Sequence, residues 1–191
     1  FLDKIMLVGS DQIRPFRCRN VSIGGVESLI ARTGYTGEDG FEIMPDTVNE
    51  IQVSRALVEA GAVPCGLGSR DVLRLEAGLL LHGSDMDVAR NPFEAGLNRF
   101  VELDSDSVSA PALRRLNSEG VGQKLAGFKM LGRGIARHGH TIYHFEKEVG
   151  EVTSGGYSPT LDMAIGLGYV SEKLAVPGCQ FTVDEIGRAH V

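Results

Sequence analysis

The side chains with the richest chemistry gather in one stretch, Arg32-Thr33-Gly34-Tyr35-Thr36-Gly37-Glu38-Asp39-Gly40-Phe41-Glu42-Ile43. Gly34, Gly37 and Gly40 fall within seven residues, so the backbone there can reach positive φ and approach a ligand closely. Tyr35 offers an aromatic face, and Glu38, Asp39 and Glu42 offer carboxylates. From Phe41 onward the pattern reads as a strand. Phe41 and Ile43 point one way, Glu42 and Met44 the other, because strand side chains alternate faces. The stretch is either a glycine-lined binding bend that ends on a carboxylate, or a tight hairpin turn whose acids face water.

A second stretch bears on that choice. Cys65-Gly66-Leu67-Gly68-Ser69-Arg70-Asp71-Val72-Leu73-Arg74-Leu75-Glu76-Ala77-Gly78 reads as a short helix, with Gly68-Ser69 near its start and Gly78 as its stop. Arg70 and Arg74 are four residues apart and share one face. Like charges at that spacing destabilise a helix by roughly 0.2–0.5 kcal/mol. Asp71 and Glu76 can offset part of this and a bound acidic ligand the rest, unless both cations are simply solvated.

Two further motifs complete the set: Asn91-Pro92-Phe93-Glu94-Ala95-Gly96-Leu97 and Val149-Gly150-Glu151-Val152-Thr153-Ser154-Gly155-Gly156-Tyr157-Ser158-Pro159. In this order, over essentially the whole chain, the four motifs resemble the T-protein family, the aminomethyltransferases of the glycine cleavage system. The resemblance implies an enzyme that takes an aminomethyl group carried on the lipoyl arm of the H-protein, releases ammonia and passes the methylene carbon to tetrahydrofolate. The lipoylated H-protein is then the expected partner, and tetrahydrofolate the expected co-substrate.

The needs of a folate can be set against these residues. The pterin edge presents two adjacent N–H donors, which a carboxylate accepts bidentately, and Glu42 is the candidate acceptor. The pterin and benzoyl rings are flat, so Tyr35 can stack on them or meet their edge. The glutamate tail is anionic, and Arg70 can meet a carboxylate with a planar fork. The family motif implies the same three residues, Tyr35, Glu42 and Arg70, around the folate. Arg74, one turn on, is either a fourth folate contact or a tie to Glu76 or the central loop. Glu38 and Asp39 belong to the motif and serve the turn or the folate. The Ser154–Pro159 segment is expected to be a turn near the active-site mouth, with a structural role.

The chain also departs from the family. The N-terminal portion, with an aspartate used near the folate nitrogen, has no counterpart here, and Asp39, Asp71 and Asp85 do not match it. No catalytic residue is therefore assigned. The chain reads as a fragment covering the middle and C-terminal portions of an enzyme, incompetent for turnover alone. Two neighbouring readings are a tetrahydrofolate-dependent demethylase of a methylated amine or sulfonium compound, and a non-catalytic folate-binding paralogue of the kind that assists iron–sulfur cluster assembly. That paralogue carries a cysteine motif in the equivalent bend, where this chain has Tyr35-Thr36-Gly37-Glu38-Asp39.

Composition narrows the classes. A chain of 191 residues, 42% hydrophobic and 23% charged, suffices for one or two cores. No apolar run approaches 18 residues, so no membrane helix is expected. A net charge of −6 argues against a nucleic-acid footprint. Cys18, Cys65 and Cys179 lack CxxC spacing, which points to a reducing compartment with buried thiols rather than disulfides or zinc. The cytoplasm, or the mitochondrial matrix in a eukaryote, is the expected location. Phe1 opens the chain without a charged n-region, so no signal peptide is expected. His82, Asp85 and Asp87 can be drawn as a metal site, but ordinary hydrogen bonding is the reading adopted, and no metal is expected.

The elements that must position these residues form an α+β pattern, an antiparallel sheet with helices followed by a small all-β barrel or sandwich. Residues 1–104 are assigned to the C-terminal part of the folate-binding domain and 105–191 to the barrel, with 104–109 as linker. A hairpin turns at Gly24-Gly25, and its second strand leads into the central motif. A helix follows Pro45-Asp46-Thr47, with Val48, Ile51, Ala56, Leu57 and Val58 as its core stripe and Gly61 as its stop. Asn91-Pro92 reads as a helix start, Phe100–Asp104 as a strand and Ala110–Asn117 as a short helix. Short strands are expected at Leu125–Met130, Thr141–Phe145, Glu148–Thr153, Ala164–Val170 and Gln180–Val183. An open sheet edge where further strands belong would favour self-association.

Overall fold

A computed structural model describes residues 2–6, 9–184 and 187–191. Its internal contacts divide the chain into two units, one running to Leu73 and one from Arg74 to Val191.

The first unit is a three-stranded antiparallel sheet in the order β1 (Cys18–Ile23), β2 (Val26–Ala31), β3 (Glu42–Pro45). Gly24 and Gly25 turn β1 into β2 with φ of +57° and +82°, the left-handed pair that a two-residue hairpin requires. Pairing brings Ile23 opposite Val26 and Cys18 opposite Ala31. β3 returns on the other side, with Ala31 opposite Glu42 and Leu29 opposite Met44. Val26, Ser28 and Ile30 of β2 are buried while Glu27 and Leu29 face out, the period-two pattern of a sheet with one covered face. The buried residues Met6, Ile13, Val21, Ile23, Val26, Ile30 and Val53 form the core, with Phe41, Ile43 and Leu57 packed against it.

Helix α1 spans Glu50–Glu59 after a 3-10 turn at Thr47–Asn49, and Gly61 at φ +111° follows it. The stripe expected to pack inward is corrected. Val48, Ile51 and Val58 are exposed, and Val53 and Leu57 do the packing, because the helix is rotated to set Val53 on the sheet. The buried-thiol reading is corrected too: Cys18 and Cys65 are exposed.

Helix α2 spans Leu67–Glu76. It starts slightly before the expected Gly68-Ser69 and ends as expected. Gly78 at φ +68° turns the chain, and the Leu79 amide donates to the Arg74 carbonyl at 2.8 Å, satisfying a carbonyl that the helix end leaves open.

The second unit is a closed antiparallel barrel in the order β4 (Gln123–Met130), β7 (Met163–Ser171), β6 (Lys147–Ser158), β5 (Thr141–His144), β8 (Gln180–Val183), β9 (Gly187–His190). β9 closes on β4, with Met130 opposite Ala189. Its core includes Phe128, Met130, Ile142, Val152, Val170, Phe181 and Val183. Phe128 and Phe181 meet edge-on at 5.4 Å. Glycines let the strands close tightly: a Cβ on Gly168 would sit 2.8 Å from the Glu151 carbonyl oxygen. Helix α3 (Ala110–Glu119) precedes the barrel and has Pro111 in its first turn.

Three expectations change here. Phe100–Asp104 is a 3-10 end and turn, not a strand. Asn91-Pro92 opens a turn that is not continued as a helix. The Asn91 side chain accepts from the Phe93 and Glu94 amides at 3.0 Å while Glu94 accepts from the Asn91 amide at 2.9 Å, so the pair caps itself reciprocally. Ser154–Ser158 is the second half of the long strand β6, not a turn.

Candidate functional site

In the first unit the loop 32–41 joins β2 to β3 and carries the candidate residues. Both of its ends are tied. The Thr33 hydroxyl donates to the Glu42 carboxylate. Arg32 donates from Nε and Nη2 to the two carboxylate oxygens of Asp39 at 2.8 and 2.7 Å, and from Nη1 to the Ile13 carbonyl at 2.9 Å. Because Ile13 is buried in the core, one guanidinium links the core to the tip of the loop. That fork holds the Asp39 carboxyl below its ordinary range and the Arg32 guanidinium above its own. Gly37, at φ +79°, makes the bend between the two ends.

The structure brings two of the candidates together. The Arg70 guanidinium carbon lies 4.5 Å from the centre of the Tyr35 ring, within cation–π range. Arg70 is exposed and Tyr35 half-buried. Glu42 is exposed at the head of β3, on the sheet face shared with Met44 and Leu29, and its carboxylate accepts from the Thr33 hydroxyl. A hollow of about 440 Å³ behind the loop is lined by Asp39, Gly40, Phe41, Ile43 and Leu57 with Leu2, Asp3, Ser10 and Ala62. That lining includes none of Tyr35, Glu42 or Arg70.

Arg74 belongs to the second unit and is 2% exposed. Its Nη1 donates to Asp85 Oδ2 at 2.6 Å and its Nη2 to the Ser154 hydroxyl at 2.9 Å. Asp85, fully buried, also accepts from the Thr153 hydroxyl at 2.5 Å and from the Leu81 amide at 2.8 Å. Its backbone carbonyl accepts from the Tyr169 hydroxyl at 2.8 Å. Burial pushes the Tyr169 hydroxyl up to about 12. Asp87 pairs with Arg90 at 2.6 Å, and the Arg90 guanidinium lies 4.6 Å over the Tyr169 ring. Asp85 and Asp87, drawn above beside His82, are thus each engaged by an arginine.

Strand β6 feeds this network through a bulge. Val152 pairs with Gly168 and Ser154 with Leu167, leaving Thr153 as an extra residue, and bulges of this kind re-aim side chains. Without it, Ser154 and Ser158 would share the inward parity of Val152. With it, Ser154 meets Arg74 and Ser158 donates to Glu76 at 2.5 Å. The Ser158 hydroxyl, aided by Thr160, holds the Glu76 carboxyl below its usual range. No local pattern points to Thr33, Asp85 or Thr153 as partners. Arg32 and Asp39, seven apart and flanking glycines, carried a signal that charge pairing across a loop would have read.

Two family models match the chain, and the first runs past Leu73 into the second unit. Residues 2–105 match the family described as the GCVT N-terminal domain, and residues 123–191 match the glycine cleavage T-protein C-terminal barrel domain. The chain is 47% identical over 173 residues to an aminomethyltransferase of Thermosynechococcus vestitus, covering 90% of this chain and 47% of that protein. It is 43% identical over 193 residues to an aminomethyltransferase of Halothermothrix orenii, covering 98% and 54%. The crystal structure of the glycine cleavage system aminomethyltransferase T from Bartonella henselae superposes with a TM-score of 0.86 at 30% identity, covering 96% of this chain and 53% of that one. The chain therefore spans about half the length of the curated relatives it matches.

Proposed function

The chain belongs to the glycine cleavage T-protein family, and on that premise we propose that it carries part of the folate site of an aminomethyltransferase. The activity is transfer of a methylene carbon from an aminomethyl group on the lipoyl arm of H-protein to tetrahydrofolate, with release of ammonia. The cytoplasm, or the mitochondrial matrix in a eukaryote, is the proposed location; separately, among the described residues no helix is long and apolar enough to cross a membrane. The observation that carries the reading is the Arg70–Tyr35 stack in the unit whose loop ends on Glu42.

The donor set suits a reduced folate. Glu42 is an acceptor fixed at a strand end, with a hydroxyl on one side, and it can take the paired N–H groups of a pterin edge. Tyr35 supplies an aromatic surface for a flat ring. Arg70 lies over the Tyr35 ring, and its planar fork of N–H donors can meet the carboxylates of the glutamate tail. When bound, tetrahydrofolate supplies the accepting nitrogens. Glu42, Tyr35 and Arg70 hold the ligand in place, and that positioning is a large share of catalysis when two reactants must meet. Arg74, bonded to Asp85 and Ser154 within the second unit, is not assigned a folate contact. The proposed boundary between the two domains lies near residue 105, where the first family match ends.

Isothermal titration of tetrahydrofolate into the protein tests this. Glu42→Gln removes charge and one acceptor and should weaken binding about tenfold, the scale of a lost charge-assisted hydrogen bond. Unchanged affinity in that variant would remove Glu42 from the site.

A further inference from the structure

We infer that Arg32 and Asp39 are positioning residues, a two-pronged clamp that fixes the loop 33–38 so that Tyr35 is presented to the ligand already ordered. The inference rests on the folate reading of this loop and adds two residues that touch no ligand in it.

Three observations carry it. First, the pair sits at the neck of the loop. β2 ends at Ala31 and β3 begins at Glu42, so the Arg32–Asp39 fork closes a small ring of chain that contains Gly34, Tyr35 and the turning glycine Gly37. Second, Arg32 is anchored. Its third donor reaches the Ile13 carbonyl at 2.9 Å, its backbone amide donates to the Arg17 carbonyl at 2.9 Å, and its carbonyl accepts from the Phe16 amide at 3.0 Å. Its guanidinium carbon also lies 5.6 Å from the centre of the Phe41 ring. The clamp thus ties the loop to the core of its unit. Third, the pair is a poor device for overall stability. The Asp39 side chain is 64% exposed, and ion pairs in that setting contribute little to folding. The fork fits ordering of a binding loop better than stabilisation of the fold.

Ordering matters here because the loop is rich in glycine. A loop that must be immobilised when ligand arrives subtracts that entropy from affinity, and a loop held beforehand does not. The two oxygens of Asp39 are met by two nitrogens of Arg32, a geometry lysine cannot reproduce. The neighbouring Thr33–Glu42 contact ties the same neck from the strand side.

The test compares wild type with Asp39→Asn, Arg32→Lys and Asp39→Glu. Hydrogen exchange of the amides in 33–41 reads the loop directly, and titration of tetrahydrofolate reads the site. Asp39→Asn and Arg32→Lys are expected to speed exchange in 33–41 and nowhere else, leave the melting temperature within about 2 °C, and raise the folate dissociation constant about three- to tenfold. Asp39→Glu keeps a carboxylate and should recover most of both losses, which a merely structural role for the side chain would not require. Exchange in 33–41 unchanged by Asp39→Asn overturns the clamp, as does unchanged folate affinity in a variant whose loop has loosened. If wild type binds no tetrahydrofolate while Asp39→Asn still loosens the loop, the folate reading fails and the clamp stands.

Discussion

Replacing Asp85 with alanine should be among the most damaging single changes in the barrel unit. Asp85 is fully buried and neutralises Arg74, itself 2% exposed, across 2.6 Å. Its removal takes the carboxylate from a buried guanidinium that keeps bonds to the Ser154 hydroxyl and the Leu79 carbonyl. The Thr153 hydroxyl and the Leu81 amide each lose an acceptor as well. Breaking a buried pair from one side costs about 3–5 kcal/mol. Each abandoned donor adds desolvation on the order of 1–3 kcal/mol, less whatever the Leu167 carbonyl at 3.2 Å recovers for Thr153. A domain's whole stability is about 5–15 kcal/mol, so a loss near 4 kcal/mol approaches unfolding. The measurement is equilibrium urea unfolding of wild type, Asp85→Ala, Arg74→Ala and the double variant. The double should cost well under the sum of the singles, with a coupling above about 2 kcal/mol, because removing Arg74 also removes the orphaned charge. A loss below about 1 kcal/mol for Asp85→Ala, or additive singles, would refute the reasoning and recast the pair as solvated.

Two more expectations are cheaper to check. Phe145 and Glu146 form the β5–β6 turn with φ of +47° and +64°, a conformation that costs side chains with a Cβ and suits glycine, so Glu146→Gly should raise stability by roughly 0.5–1 kcal/mol in the same urea assay; a loss instead would mean the glutamate has a partner that offsets the strain. Tyr169, pushed up to about 12 by burial, should ionise only at strongly alkaline pH in an ultraviolet titration. Its folded value lies above the ordinary one near 10, so the stability it contributes is complete below pH 10 and drains away as pH rises toward 12. Tyr169→Phe should flatten that alkaline slope, and a slope unchanged by the substitution would assign it elsewhere.

What the sequence revealed follows from which forces act locally. The Gly24-Gly25 hairpin and the Gly78 stop were readable because positive φ is a property of single residues. The alternation of Phe41 and Ile43 against Glu42 and Met44 was readable for the same local reason. The Ser154–Ser158 half of β6 was misread as a turn because its glycines look like turn glycines. Gly155 is in fact needed for close approach, since a Cβ there would overlap the Ala136 carbonyl. β9 was not expected at all: Gly-Arg-Ala-His has no strand pattern, and its conformation comes from pairing with β8 and β4. Arg74 was visible as a residue of interest, but its partners stand eleven and eighty residues away, beyond any local periodicity. Nor is the Tyr35–Arg70 meeting legible in local pattern; folate chemistry and the family motif, not periodicity, single out the two residues.

The extra residue in β6 has an evolutionary corollary. Thr153 works as a phase shifter: downstream of it the odd-numbered positions take the side of the sheet that the even-numbered ones held upstream. Point substitutions at the serines beyond it would each sever one contact, to Arg74 or to Glu76. Losing a single codon beyond it, at 155 for instance, would move the rest of the strand by one step and swing Ser158 to the side that Val152 faces. Lineages of this barrel should therefore tolerate exchanged letters along β6 far more readily than a change in its length.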